Sequence, residues 1–354
     1  MPTPAFDATD PTRRNMLKNV DWALCIGAGV CHGLMPDWET VTRQMLGRAG
    51  DAPISAPELR DMIRELGWSL DSLLQHALNS YQLSGRSSAD FNSDLACEIY
   101  GPLLAAATSA GLHVPLVRLL SDPFSRDPAH VLALESFFSS NYSGSSVMQI
   151  ARCLLRSKDA SRAPTSILTF NADVLMHAAL TLLQIRQEYS RSGNLNPDFH
   201  YRALYRSTDR PNGKIPIYHI HGCITPAAGR REARDKLVFP ESSYSQLAAS
   251  VYAWPQTTFL ATAQASRIVF VGLSMSDPNI RRWLSWCEGY RRDDIAQLGG
   301  SPAFLSQHLW ITTPSADPVI QHAKESGLLH LGVRTAFVQN WSLLEDALGN
   351  LLDL

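Results

Sequence analysis

Four short runs in the 354-residue chain set amides, carboxylates, imidazoles and glycines at spacings that chemistry uses. In the first, Asn171-Ala172-Asp173 follows an apolar run and precedes a helical one. An amide and a carboxylate two residues apart can grip the hydroxyl or amide groups of a ligand. The same pair also caps helices well, because Asn and Asp accept orphan N–H groups and a carboxylate suits the positive helix N-terminus. The two uses are compatible. In the second run, His219-Ile220-His221-Gly222-Cys223 closes another apolar stretch. Strand alternation points His219, His221 and Cys223 to one side and Ile220 to the other. An imidazole titrates near ~6.5 and so takes up protons near neutral pH, and Gly222 leaves room beside it for a ligand. His219, His221 and Cys223, joined by Asp173, could instead ligate a metal.

The other two runs are glycine turns. Gly27-Ala28-Gly29 directly follows an apolar run. Such glycines permit a tight turn and let backbone N–H groups approach a phosphate, although an ordinary strand-to-helix turn uses the same residues. The third glycine of the dinucleotide fingerprint is absent at its usual spacing. Gly272-Leu273-Ser274-Met275-Ser276-Asp277 follows a further apolar run. Its plain alternative is a capped helix, with Ser276 or Asp277 as the cap and Pro278 in the first turn. A serine nucleophile elbow would need a second glycine, which this run lacks.

These runs need a scaffold that brings them together. Asp21–Gly27, Thr165–Phe170, Ile215–Ile220, Arg267–Val271, Leu309–Thr312 and Arg334–Val338 have the apolar, β-branched character of buried strands. Helical spacing marks Val174–Tyr189, Glu241–Ala265, Ile280–Tyr290 and Ser342–Leu354. Strands alternating with helices predict an α/β fold, a Rossmann-like and mostly parallel sheet with helices on both faces. Ligands of such sheets bind outside the carboxyl ends of the strands, where all four runs fall. Residues 37–163 differ: they carry helical spacing, such as Leu70, Leu73, Leu74, Ala77 and Leu78, and are punctuated by Pro and Gly from Pro53 to Pro123. They read as a helical insertion within a single domain of residues 1–354.

Composition narrows the function classes. Hydrophobic residues make up 45% and charged residues 18%, the balance of a chain with a large core and not of a disordered one. A net charge of −2 supplies no basic field for nucleic acid, so no direct nucleic-acid partner is expected. No apolar run approaches the ~18–20 residues of a membrane span, and the polar start of the chain lacks the apolar core of a signal peptide, so a cytoplasmic protein is expected. The six cysteines form no C-x-x-C pair, which argues against a zinc ribbon or a thioredoxin-type redox site and for free thiols.

The four runs, in this order, resemble the sirtuin family. Gly27 to Trp38, GAGVCHGLMPDW, is similar to the sirtuin opening Gly-Ala-Gly-x-Ser with a later Gly-Ile/Leu-Pro-Asp-aromatic, with Cys31 in place of serine and Met35 as an extra residue. Thr169-Phe170-Asn171-Ala172-Asp173 resembles the family's Thr-x-Asn-x-Asp, and His221-Gly222 its catalytic histidine. Gly272-Leu273-Ser274 resembles its late Gly-x-Ser turn, and Phe239-Pro240-Glu241 with Tyr244 its pattern between the two. The resemblance implies that Asn171 touches the ribose beside the scissile bond of NAD and that Asp173 lies near the nicotinamide carboxamide. His221 becomes the general base. Gly27, Ala28, Gly29 and Asp37 join the NAD-binding set, and Gly272 and Ser274 contact ribose or phosphates. Arg281 and Arg282 could reach a phosphate or form a solvated helix face.

Deacetylating sirtuins usually carry a four-cysteine zinc module between the His-Gly and the late turn; only Cys223 lies in that interval here. The chain is therefore more similar to the sirtuin-like domains of prokaryotic antiviral defence. That resemblance implies a metal-free NAD glycohydrolase that releases nicotinamide and ADP-ribose and depletes the NAD of an infected cell. It further implies a homo-oligomer, or a partner such as a HerA-type DNA translocase or an Argonaute-like sensor. Two other functions compete: a non-catalytic NAD or ADP-ribose sensor that regulates a partner protein, and a metal-dependent hydrolase built on His219 and His221.

Overall fold

The computed structural model describes residues 5–13, 15–50, 52–122, 128–227, 237–250, 252–300 and 307–354. Pro123, expected to punctuate the insertion, lies outside them. The described strands are β1 (Phe6–Asp7), β2 (Trp22–Ile26), β3 (Ser166–Thr169), β4 (Tyr201–Leu204), β5 (Ile215–His219), β6 (Arg267–Val271), β7 (His308–Thr312) and β8 (Val333–Phe337). They form one sheet in the order β1-β8-β7-β6-β2-β3-β5-β4, with every neighbouring pair parallel. This is the Rossmann-like α/β fold that the alternating strands and helices predict.

Seven helices fill the stretch between β2 and β3: α1 (Trp38–Ala49), α2 (Ala56–Leu66), α3 (Leu70–Leu83), α4 (Ser88–Ser109), α5 (His113–Ser121), α6 (Pro128–Tyr142) and α7 (Ser146–Asp159). After β3 come α8 (Leu175–Ser192), α9 (Glu241–Ala249), α10 (Trp254–Ala265), α11 (Pro278–Gln297), α12 (Pro318–Ser326) and α13 (Leu344–Leu352). Their starts are written in the sequence. Ser55 with Glu58, and Ser87 with Asp90, form reciprocal capping boxes on α2 and α4. Asp277 and Asp317 cap α11 and α12, each followed by proline at the first helical position.

Period-two alternation divides the strands between two cores. Leu24, Ile26, Val269 and Val271 face the larger core, shared with Leu103, Ile150, Ala178 and Leu348 of α4, α7, α8 and α13. Ala23, Cys25, Ile268 and Phe270 face the smaller core, closed by Phe259 of α10 and Trp283 of α11. The insertion helices thus pack into the same core as the sheet.

The elements depart from the sequence reading in three ways. The helix expected over Glu241–Ala265 is two: Ser250 is extended, and Pro255 sits in the first turn of α10, where its missing N–H costs nothing. The edge strands β1 and β4 and the short α12 carry too few residues to show a period. Helix α11 runs beyond Ile280–Tyr290 at both ends.

Candidate active site

The sheet reverses its winding at β2, which pairs with β3 on one side and β6 on the other. Register fixes what emerges there. Ile26 lies opposite both Thr169 and Val271, so the turns after all three strands leave at one level. Backbone bonds tie them together: Gly27 N–H donates to Val271 O (3.0 Å), Phe170 N–H to Ile26 O (3.0 Å) and Ile220 N–H to Thr169 O (2.9 Å). A cleft of about 640 Å³ opens over these turns, lined by Gly27–Gly29, Asn171, Asp173, His221, Gly272 and Ser274. The position is the ligand site of an open α/β sheet, and the size is that of a small-molecule pocket.

The glycines let two turns cross. A Cβ on Gly27 would lie 2.7 Å from the Gly272 carbonyl oxygen and 2.5 Å from the Leu273 side chain; one on Gly29 would lie 2.9 Å from the same oxygen. Gly272 has φ +68°, and a Cβ there would lie 2.5 Å from the Val30 nitrogen. Gly29 N–H donates to Gly272 O (2.9 Å), so the Gly27 and Gly29 donors expected to face a pyrophosphate are engaged with the end of β6 and the turn after it. Ser274 is exposed at the rim, its hydroxyl 2.6 Å from that of Ser276. Asp37 also lines the cleft while capping α1 through Thr40 N–H (2.8 Å), a bond that holds its carboxyl below the usual range.

Asn171 and Asp173 sit in the turn between β3 and α8, both buried. The Asp173 carboxyl accepts the Leu175 N–H (2.8 Å) and the Cys31 thiol (3.3 Å), and Asn171 Nδ2 lies 3.5 Å from the same sulfur. Burial pushes the Cys31 thiol well up, with the Asp173 charge adding to the effect, so the sulfur keeps its proton and donates. Burial also raises the Asp173 carboxyl. Asn171 Oδ1 is buried with no hydrogen-bond partner among the described residues.

The two histidines part. Strand β5 ends at His219 and Gly222 takes φ +74°, so alternation does not run on through His221 and Cys223. His219 packs under the Asn171–Asp173 turn, 4.9 Å from the Tyr205 ring; burial, and then His177, pull its pKa down to about 3. His221 faces the cleft between Phe170 (4.6 Å) and Tyr244 (5.5 Å). Its Nε2 is buried, has no hydrogen-bond partner among the described residues and lies 3.8 Å from Asp277 Oδ2. Burial lowers its pKa, and Asp277 partly offsets that. Cys223 is buried in the larger core. The proposed metal set therefore does not converge, and among the described residues no group of three or more His, Cys, Asp or Glu could hold a metal ion.

Several residues around the cleft went unsignalled. Leu70, Asp71 and Ile99, all from the insertion, line the cleft beside Trp38, the aromatic residue of the opening motif. The Tyr100 hydroxyl of α4 donates to Ile224 O (2.8 Å) and accepts from Val174 N–H (3.2 Å), tying the loop after His221 to the turn after Asp173. Asp71 is half-buried, and burial, with Asp277 and Glu241 nearby, raises its carboxyl to about 6. A tyrosine on an apolar helix face and an aspartate in a first helical turn carry no local mark of such roles. Arg281 and Arg282 do not line the cleft; they bond Met275 O (3.2 Å) and Asn279 Oδ1 (2.7 Å).

Fold and cleft define a Rossmann-like α/β protein with a nucleotide-type site at the switch point of its sheet. Within that class, a family model described as SIR2-like domain matches residues 165–330, the stretch that holds Asn171, Asp173, His221, Gly272 and Ser274. Residues 165–330 thus carry a SIR2-like domain, and that domain points to NAD-related function. No curated protein matches the chain. No helix of the described residues is long and apolar enough to cross a membrane.

Proposed function

We propose that the cleft binds NAD and hydrolyses the bond between nicotinamide and ribose, giving nicotinamide and ADP-ribose. One observation carries the reading: Asn171 Oδ1 and His221 Nε2, two buried polar atoms without hydrogen-bond partners among the described residues, belong to side chains lining the same cleft. Buried polar groups are nearly always bonded, so two exceptions at one site call for a ligand. Cleavage sends the C1′–N electron pair to the nicotinamide nitrogen and leaves oxocarbenium character on the ribose. Asn171 holds the ribose hydroxyls and orients the attacking water. His221, kept neutral by burial, has a lone pair to accept the proton that water loses. Asp173 meets the carboxamide. The crossing glycine turns and the volume of the cleft fit a dinucleotide substrate.

The test is chromatography of NAD incubated with the purified chain, beside Asn171→Ala and His221→Ala. Nicotinamide and ADP-ribose should appear with the wild type, and His221→Ala should lower the rate by roughly 10²–10⁴. Full activity in His221→Ala would refute the assignment. Tight NAD binding by calorimetry with no product, in cells as well as in vitro, would replace hydrolysis by sensing. The resemblance to defence proteins extends the proposal to an antiphage effector that works as a homo-oligomer or with a partner protein, read out as loss of cellular NAD on phage challenge.

A further inference from the structure

The His221 ring is held by more than its stacking neighbours. Asp277 caps α11 with one oxygen only: Oδ1 takes the N–H groups of Asn279 (2.8 Å) and Ile280 (3.0 Å). The cap fixes the carboxyl group and leaves Oδ2 over, 3.8 Å from His221 Nε2. The Tyr244 hydroxyl reaches the same carboxyl group. A cap alone would be met as well by Asn, Ser or Thr, so the second oxygen is not explained by the helix.

We propose that Asp277 is a positioning residue, whose second carboxylate oxygen orients the His221 ring and balances the charge that His221 acquires on taking a proton. At 3.8 Å the two atoms are beyond hydrogen-bond length while the ring is neutral. Protonation of the imidazole turns the contact into an ion pair in a buried setting, where opposite charges attract strongly. The groups facing the histidine come from every element around it: Asp277 from α11, Tyr244 from α9, the apolar Phe170 from the turn after β3, and behind Tyr244 the carboxyls of Asp71 on α3 and Glu241 on α9. Asp277 is the one whose charge acts directly on His221. The catalytic part of this role rests on the hydrolase reading; the pairing itself does not.

Asp277→Asn separates cap from charge, because asparagine caps as well as aspartate. Ring-nitrogen NMR of the full chain, with His221 assigned by its loss in His221→Gln, should show the His221 midpoint falling by about one to three pH units in Asp277→Asn. The melting temperature should stay at the wild-type value, and kcat should drop about tenfold or more while KM holds. Asp277→Ser, which keeps a capping hydroxyl, should repeat the shift and serves if the asparagine variant folds poorly. An unchanged midpoint in both variants would overturn the pairing and leave Asp277 a helix cap. A shifted midpoint in a protein that turns over no NAD would uphold the pair and sink the hydrolase reading instead.

Discussion

Replacing Tyr100 by phenylalanine tests whether the helical insertion is part of the cleft. The substitution keeps the buried ring and removes one oxygen. That oxygen accepts the Val174 N–H and donates to the Ile224 carbonyl, and both residues are buried. Water cannot replace it without room, so each backbone group loses a partner. An unsatisfied buried donor or acceptor costs about 1–3 kcal/mol. The Ile224 N–H to Ala172 O bond (2.7 Å) survives and limits the damage, so a total near 3 kcal/mol is expected. Unfolding entropy of about 2.1 cal/mol/K per residue, over 354 residues, turns that into a fall of roughly 4 °C in Tm. Tyr201→Phe is the control. Its hydroxyl is also buried and bonds one carbonyl, Leu154 O (2.9 Å), but it lies away from the cleft. Calorimetric melts should show both variants less stable, Tyr100→Phe the more so. NAD turnover should fall only in Tyr100→Phe, because only that hydroxyl joins the turns of Asp173 and His221. Equal melting of Tyr100→Phe and wild type, or lost stability with unchanged turnover, would refute the reasoning.

Three further outcomes are expected. Gly272→Ala forces a Cβ to 2.5 Å from the Val30 nitrogen at φ +68°, so it should lower stability by about 1–3 kcal/mol and weaken NAD affinity in calorimetry. Cys31→Ser keeps a donor to Asp173 and should retain turnover, whereas Cys31→Val strips it, leaves a buried carboxyl short of a partner and should cost about 1–3 kcal/mol in denaturant melts. His219, His221 and His308 are all depressed by burial, the first and third to about 3. Below the unfolded value of ~6.5 the unfolded chain binds more protons than the folded one, so stability should fall as pH drops from 7.5 toward 5. Asp71, raised to about 6, and Asp173, raised by burial, oppose this by at most one proton each against three imidazoles, and urea midpoints that stay flat over the window would contradict the burial of the three imidazoles.

The strand-end chemistry was readable because it is local. Asp173 accepts the Leu175 N–H at the start of α8 and lines the cleft beside Asn171, so one short motif announces both turn and site, and Gly27, Gly29 and Gly272 are glycines for a steric reason visible as spacing. The roles of Asp71 and Ile99 in lining the cleft, and of Tyr100 in clasping its turns, were not readable, since they arise only when α3 and α4 fold back over the sheet and bring Tyr100 to partners 74 and 124 residues away. His219 was misdirected by carrying strand alternation past the end of β5, where the left-handed Gly222 breaks the period. Pro255 marked the break between α9 and α10, but a long amphipathic stretch masked it.

The insertion is spliced between two of the turns that form the cleft, the one after β2 and the one after β3. It begins at Asp37, six residues after Cys31, and α7 ends seven residues before β3, the strand that delivers Asn171. Both of its ends are thus fastened to the cleft, and Tyr100 pins its middle there as well. Mechanically it is a lever with three attachments around one fulcrum. Under the proposed function, a push on its outer helices would be carried through these attachments to the turns that hold Asn171 and His221.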